Sequence, residues 1–231
     1  MESEGRKLHE QAAEAREKGE FVDSLSLGDQ ALLAYDRDND GLGFAEVIAN
    51  RGITLKVYAG IHESRRILTL AKYELMGAVE IARQSGDKKA LALPQYRLAQ
   101  MHEELDELSE AAAIYKEALH NMEQNPPERH DRPSVLADMR VHVATCEYKA
   151  GDKSALERLE SALSDLEGSE EDKYNKDVWV SGGYMRMADI LRDDDPAKAQ
   201  QSLQKAKEII GANPDLALRK KQWDQLSASF K

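Results

Sequence analysis

Apolar residues recur at intervals of three and four along almost the whole chain, and no stretch alternates in the manner of a strand. The pattern predicts about eleven amphipathic helices and no sheet. Turn chemistry marks the gaps between them. Gly19, the run Asp36-Arg37-Asp38-Asn39-Asp40-Gly41, Gly60, Ser85-Gly86-Asp87 and Leu105-Asp106 interrupt the first half. Asn125-Pro126-Pro127, Gly151-Asp152, Gly168 and Asp193-Asp194-Asp195 interrupt the second. Asp195-Pro196 and Asn213-Pro214 each set a capping side chain before a proline, which predicts a helix start at both. Pro133 is expected to open a helix in the same way. At Pro94 two readings stand: a helix beginning near Leu93, or a helix from Asp87 that kinks there.

Small residues repeat at fixed distances. Ala144 is followed by Ala155, Leu159 and Ala162, and Ala188 by Ala199, Leu203 and Ala206, at offsets of 11, 15 and 18 in both cases. Ala12 with Ser24, Gly28 and Ala31 keeps offsets of 12, 16 and 19. So do Gly52 with Ser64, Leu68 and Ala71, and Ala99 with Ala111, Tyr115 and Ala118. The anchors Ala12, Gly52, Ala99, Ala144 and Ala188 lie 40, 47, 45 and 44 residues apart. Two antiparallel helices approach closely only where a small residue faces the partner, and each pair then leaves a face for the next pair to cover.

The segment Tyr96–Ala99 followed by Glu110–Leu119, and the opening Glu17-Lys18-Gly19-Glu20-Phe21 with Ala31-Leu32, resemble the tetratricopeptide repeat (TPR) family. The period is longer than that family's roughly 34 residues, as in its long-helix variants. The resemblance implies an all-α, right-handed α-solenoid of about five antiparallel helix pairs, at residues 3–38, 43–85, 88–124, 133–167 and 174–211. A terminal helix over 214–230, with Leu216, Leu218, Trp223, Leu226 and Phe230 as its apolar residues, would cap it. The whole chain, 1–231, is expected as one repeat domain.

Composition narrows the function. Among 231 residues the net charge is −11, which repels phosphate backbones and anionic lipid, so no nucleic-acid or membrane partner is expected. Cys146 is the only cysteine and sits among apolar neighbours, as a small core residue would. The opening MESEGRKLHEQ lacks the apolar core of a secretion signal, and no apolar run approaches the roughly 20 residues of a membrane span; the expected location is the cytoplasm. Paired carboxylates occur at helix-surface spacings without a nucleophile or phosphate loop beside them, so neither an enzyme nor a cofactor is expected. Asp36, Asp38 and Asp40 with Gly41 open like a calcium loop. Val47 then stands where the closing carboxylate belongs, and the alternative is an acidic turn that caps the next helix.

In the family, first-of-pair helices line a concave groove. Carried over, the groove positions are Arg6, His9 and Arg16, then Lys56 near Ala49 and Ile53, then Tyr96, Gln100 and Glu103. Tyr148, Lys149 and Arg192 follow in the last two pairs. The family's clamp for chaperone tails needs Lys and Asn where His9 and Ala13 stand, so that ligand is not expected. The leading expectation is a scaffold that binds a peptide or helix of a partner protein, with Tyr96 and Tyr148 as aromatic anchors and the Arg and Lys residues selecting charge. The alternatives are a sensory, peptide-binding regulatory module and a self-assembling adaptor that pairs as a homodimer through Trp223 and Phe230 of the C-terminal helix.

Overall fold

A computed structural model describes residues 3–230. Eleven α-helices and no strand occur among them. The helices are α1 (Glu4–Glu17), α2 (Phe21–Arg37), α3 (Gly41–His62), α4 (Arg65–Ser85), α5 (Ala92–Glu104) and α6 (Leu108–Gln124). They continue as α7 (Pro133–Lys149), α8 (Ala155–Gly168), α9 (Lys173–Leu191), α10 (Pro196–Ala212) and α11 (Ala217–Ala228). The chain divides into two compact units, one ending at Arg129 and one beginning at His130.

In the first unit α1, α3 and α5 each pair with the helix that follows, and α3 also lies against α1, α2 and α5. In the second, α7 pairs with α8 and α9 with α10, while α11 packs on α9 and α10. This difference in neighbours explains the burial. A first-of-pair helix meets partners on several sides, so α3 buries twelve of its residues, polar ones included. The second-of-pair α4 buries only Ala71, Leu75, Ala78, Val79 and Ala82, one stripe of an amphipathic helix.

The repeated small residues fall where helices touch. Ala12, Ala31, Ala99, Ala111, Ala118, Ala188, Ala199 and Ala206 are almost completely buried. At Gly52 a Cβ would stand 2.9 Å from Leu75, so the α3–α4 crossing needs glycine there. Gly43 serves a different contact: a Cβ on it would reach within 2.3 Å of the Tyr35 ring, which fills the space beside the α2–α3 turn.

The turns match their chemistry with two exceptions. Asp195 Oδ1 accepts from Lys198 N at 3.0 Å ahead of Pro196, and Pro133 opens α7. At Pro94 a short 3-10 turn, Lys88–Ala90, precedes α5, which begins at Ala92 without a kinked extension. Gly60, however, lies inside α3; the break falls at Glu63, which takes the left-handed conformation at φ 50°. No neighbour crowds Gly60, so nothing ends the helix there. Asn213 does not open a helix at Pro214 either, although its Oδ1 accepts from Asp215 N at 3.1 Å. It closes α10 and donates from Nδ2 to Asp177 Oδ2 at 2.9 Å, so α11 starts four residues later.

Candidate functional site

In the first unit, α1 is laced to α3 by two cations. Arg6 Nη2 donates to Glu46 Oε2 at 2.7 Å, and Arg16 bonds Asn50 Oδ1 while its Nε donates to Glu17 at 3.0 Å. Glu46 and Asn50 are one turn apart on α3, and both are buried. Further along the same helix, Thr54 shares a 3.0 Å hydroxyl contact with Ser24 of α2. Lys56 reaches Glu104 at the end of α5, 3.7 Å away. His9 stands edge-on to the Tyr35 ring, whose phenol burial pushes its pKa up to about 12.

On α5, Tyr96, Gln100 and Glu103 are all buried. Glu103 accepts from the Tyr115 hydroxyl at 2.9 Å, and the Tyr96 ring lies 5.7 Å from that of Tyr115. Gln100 accepts from Arg97, whose guanidinium sits 4.7 Å over the Tyr96 ring. Tyr96, expected as a presented anchor, is therefore interior, because α6 supplies Tyr115 against it. Beside this cluster Glu107 joins His102 Nδ1 at 2.6 Å and Lys72 Nζ at 2.8 Å. Burial lowers the His102 pKa against the raising effect of Glu107, and the Lys72 bond lowers that of Glu107.

The second unit holds its own cluster. Tyr148 is also interior; its hydroxyl donates to Asp194 at 2.6 Å, and Lys153 bonds the same carboxylate with its ammonium 4.0 Å over the Tyr148 ring. These bonds, Lys153 first, hold the Asp194 carboxyl below its usual range. Lys149 and Arg192 converge on Asp189 at 3.6 and 2.6 Å. A cavity of about 290 Å³ lies among α8, α9 and α10. Over it Tyr184 donates to Glu167 at 2.6 Å and accepts from Lys205, while Lys198 pairs with Glu160.

The expected groove residues thus fall into two sets, Arg6 to Glu103 in the first unit and Tyr148, Lys149 and Arg192 in the second. The cations in both sets have acidic or amide partners within the chain. Sequence reasoning missed Glu46 and Asn50, and the Asp194 that receives Tyr148. For Glu46 and Asn50 a signal existed, since they stand one turn apart on the same helix as the expected groove positions Ala49 and Ile53. Asp36 lies exposed in the last turn of α2, Asp38 lies 3.6 Å from Arg37, and Asp40 Oδ1 accepts from Gly43 N at 2.8 Å to cap α3. No group of three His, Cys, Asp or Glu side chains among the described residues is placed to hold a metal ion. Cys146 is fully buried in α7. Trp223 donates from Nε1 to Leu203 O at 3.0 Å, and with Leu226 and Phe230 it packs onto the core of its own unit. No helix among the described residues is long and apolar enough to cross a membrane.

Paired helices with small residues at their crossings define a TPR-like helical repeat fold. No protein-family model and no curated protein matches the sequence. Solved structures do match in fold. A kinesin light chain from Podosopora anserina with TPR-like repeats covers 90% of this chain and 97% of its own, at 14% identity and TM-score 0.55. BtubC from P. vanneervenii covers 87% and 77%, at 18% identity and TM-score 0.59. A Rap protein complexed with competence and sporulation factor covers 100% and 66%, at 16% identity and TM-score 0.58.

Proposed function

We propose that the chain is a non-enzymatic protein-interaction scaffold whose first unit holds a peptide or helix of a partner protein along α1, α3 and α5. The observation that supports this most is the buried polar row on α3 and α5. Glu46, Asn50, Gln100 and Glu103 occupy positions where aliphatic side chains would pack more cheaply. Their partners hold them in fixed rotamers, which is the pre-organisation that recognition of an extended or helical ligand requires. Arg16 and Lys56, both part-exposed, sit beside the row and would select for acidic groups. A Rap protein of similar fold is known bound to a competence and sporulation factor, so arrays of this architecture do take factors as ligands. A scaffold of this kind needs neither metal nor cofactor.

The test is selection of peptides from a displayed random library on the full chain, followed by titration of each peptide on wild type and on Lys56→Glu. Peptides with acidic groups that bind at micromolar Kd and lose at least tenfold on Lys56→Glu are the expected result. A library that yields no binder, or binders indifferent to Lys56→Glu and to Arg16→Ala, overturns the reading.

A further inference from the structure

Tyr35 brings a polar group from α2, a second-of-pair helix, to the row of first-of-pair helices. Its ring lies against the backbone of two of them: a Cβ on Gly5 of α1 would stand 2.8 Å from it, and one on Gly43 of α3 2.3 Å. Glycine at both positions lets the ring reach the end of the row where Arg6 bonds Glu46. Tyr35 is 1% exposed, and its hydroxyl has no hydrogen-bond partner among the described residues. Phenylalanine would fill the same space without leaving a buried hydroxyl unpaired, which opposes folding. The packing therefore calls for an aromatic ring at this position and leaves the hydroxyl for an acceptor from outside the chain.

The surrounding charges select that acceptor. Arg6, Glu46, Asp40 and Arg129 all act on the phenol, and Arg129 pairs with Glu10 of α1 at 3.0 Å. Two guanidiniums thus stand against three carboxylates, a field that repels a further carboxylate and admits a neutral oxygen. Burial holds the phenol in its protonated form, so it donates throughout the ordinary pH range. The neutral acceptor that every peptide carries is its main-chain carbonyl. Access needs side-chain movement at this end, where the Arg129–Glu10 pair is 58 and 49% exposed and so weakly held. Arg6 and Glu46 stand ten residues before Arg16 and Lys56 on their respective helices. That is about 15 Å by helical rise, which an extended peptide covers in about five residues. We infer that the Tyr35 hydroxyl is a specificity-determining donor that takes a main-chain carbonyl of the bound peptide, about five residues from the peptide's acidic group. This rests on the reading of α1, α3 and α5 as the row that holds a peptide.

The probe is an acidic peptide selected from the displayed library and weakened by Lys56→Glu, titrated by fluorescence anisotropy on wild type and Tyr35→Phe. Tyr35→Phe is expected to weaken it about three- to tenfold. The thermal midpoint of the free variant is expected to equal or exceed that of wild type. Single thioamides, whose sulfur accepts more weakly than a carbonyl oxygen, are then placed along the peptide. One of them, about five residues from the acidic group, is expected to weaken binding to wild type and not to Tyr35→Phe. A lowered midpoint overturns the inference, because it shows the hydroxyl already bonded in the free chain. So does a loss on Tyr35→Phe that no thioamide position shares. Peptides that weaken on Lys56→Glu and not on Tyr35→Phe overturn this inference alone, whereas a library without binders overturns the peptide row with it.

Discussion

The two units treat their apolar surface in opposite ways. In the second, α11 lays Trp223, Leu226 and Phe230 onto the core formed by α7 to α10. Arg219 donates to Val178 O at 3.0 Å, and the Arg192 guanidinium lies 4.9 Å over the Phe230 ring. The first unit has no such cover: Val22, Leu33 and Tyr58, with Leu70, Tyr73, Met76 and Ile81 of α4, every large hydrophobic left exposed among the described residues, lie in it. A repeat unit closed by its own terminal helix has spent that face on stability. A unit that leaves apolar side chains open either tolerates the exposure or uses it to bind.

That contrast can be broken by mutation. The largest effect is expected from Trp223→Ala, which removes the Leu203 hydrogen bond and the packing of α11 and should cost about 2–4 kcal/mol. Tyr73→Ser should stay within about 0.5 kcal/mol, because its ring is mostly exposed and its contact with the Lys72 ammonium is a distant 5.8 Å. Urea unfolding of both variants checks the pair, and equal losses would erase the distinction. Gly43→Ala should cost about 1–3 kcal/mol, since the added methyl drives into the Tyr35 ring and the contact must shift. Gly77→Ala should instead stabilise the chain by about 0.5–1 kcal/mol, as an unobstructed helix glycine gives way to the best helix former.

The smallest effect concerns pH. His102 has a lowered pKa in the fold, so the folded chain binds fewer protons there than the unfolded one. Its contribution to stability is present above its ordinary pKa and is lost as pH falls below about 6.5 towards the folded value. The unfolding midpoint of wild type should therefore drop between pH 7.5 and 5.5 more than that of His102→Gln, by thermal melts in matched ionic strength.

The fold was legible in the sequence because small residues at helix crossings are a local, repeated requirement. Ala12, Ala99, Ala144 and Ala188 announce the pairs, and Asp195-Pro196 announces a helix start, without knowledge of any distant residue. Gly60 and Asn213 misled for one reason: each has a local meaning that a tertiary circumstance overrides. Gly60 is in uncrowded helix, and Asn213 is held by Asp177 of α9. The candidate site was legible only in part. Arg6, Arg16 and Lys56 were identifiable by position on first-of-pair helices, but their partners lie 40 residues away for Arg6–Glu46 and 34 for Arg16–Asn50. Helical periodicity carries no information on such pairings. The burial of Tyr96 and Tyr148 was hidden in the same way, since Tyr115 of α6 and Asp194 of the α9–α10 turn, which receive them, lie elsewhere in the chain.

Two isoleucines separate the proposed groove from the outer face of α4. Ile53 is half-buried on α3, between Asn50 and Lys56, and Ile81 is exposed on α4. The decisive measurement is methyl NMR of the full chain, labelled at isoleucine Cδ1, during titration with a library-selected acidic peptide. Binding along α1, α3 and α5 shifts the Ile53 methyl and leaves Ile81 unmoved. A peptide that shifts Ile81 while Ile53 stays in place contradicts the scaffold groove and moves recognition to α4.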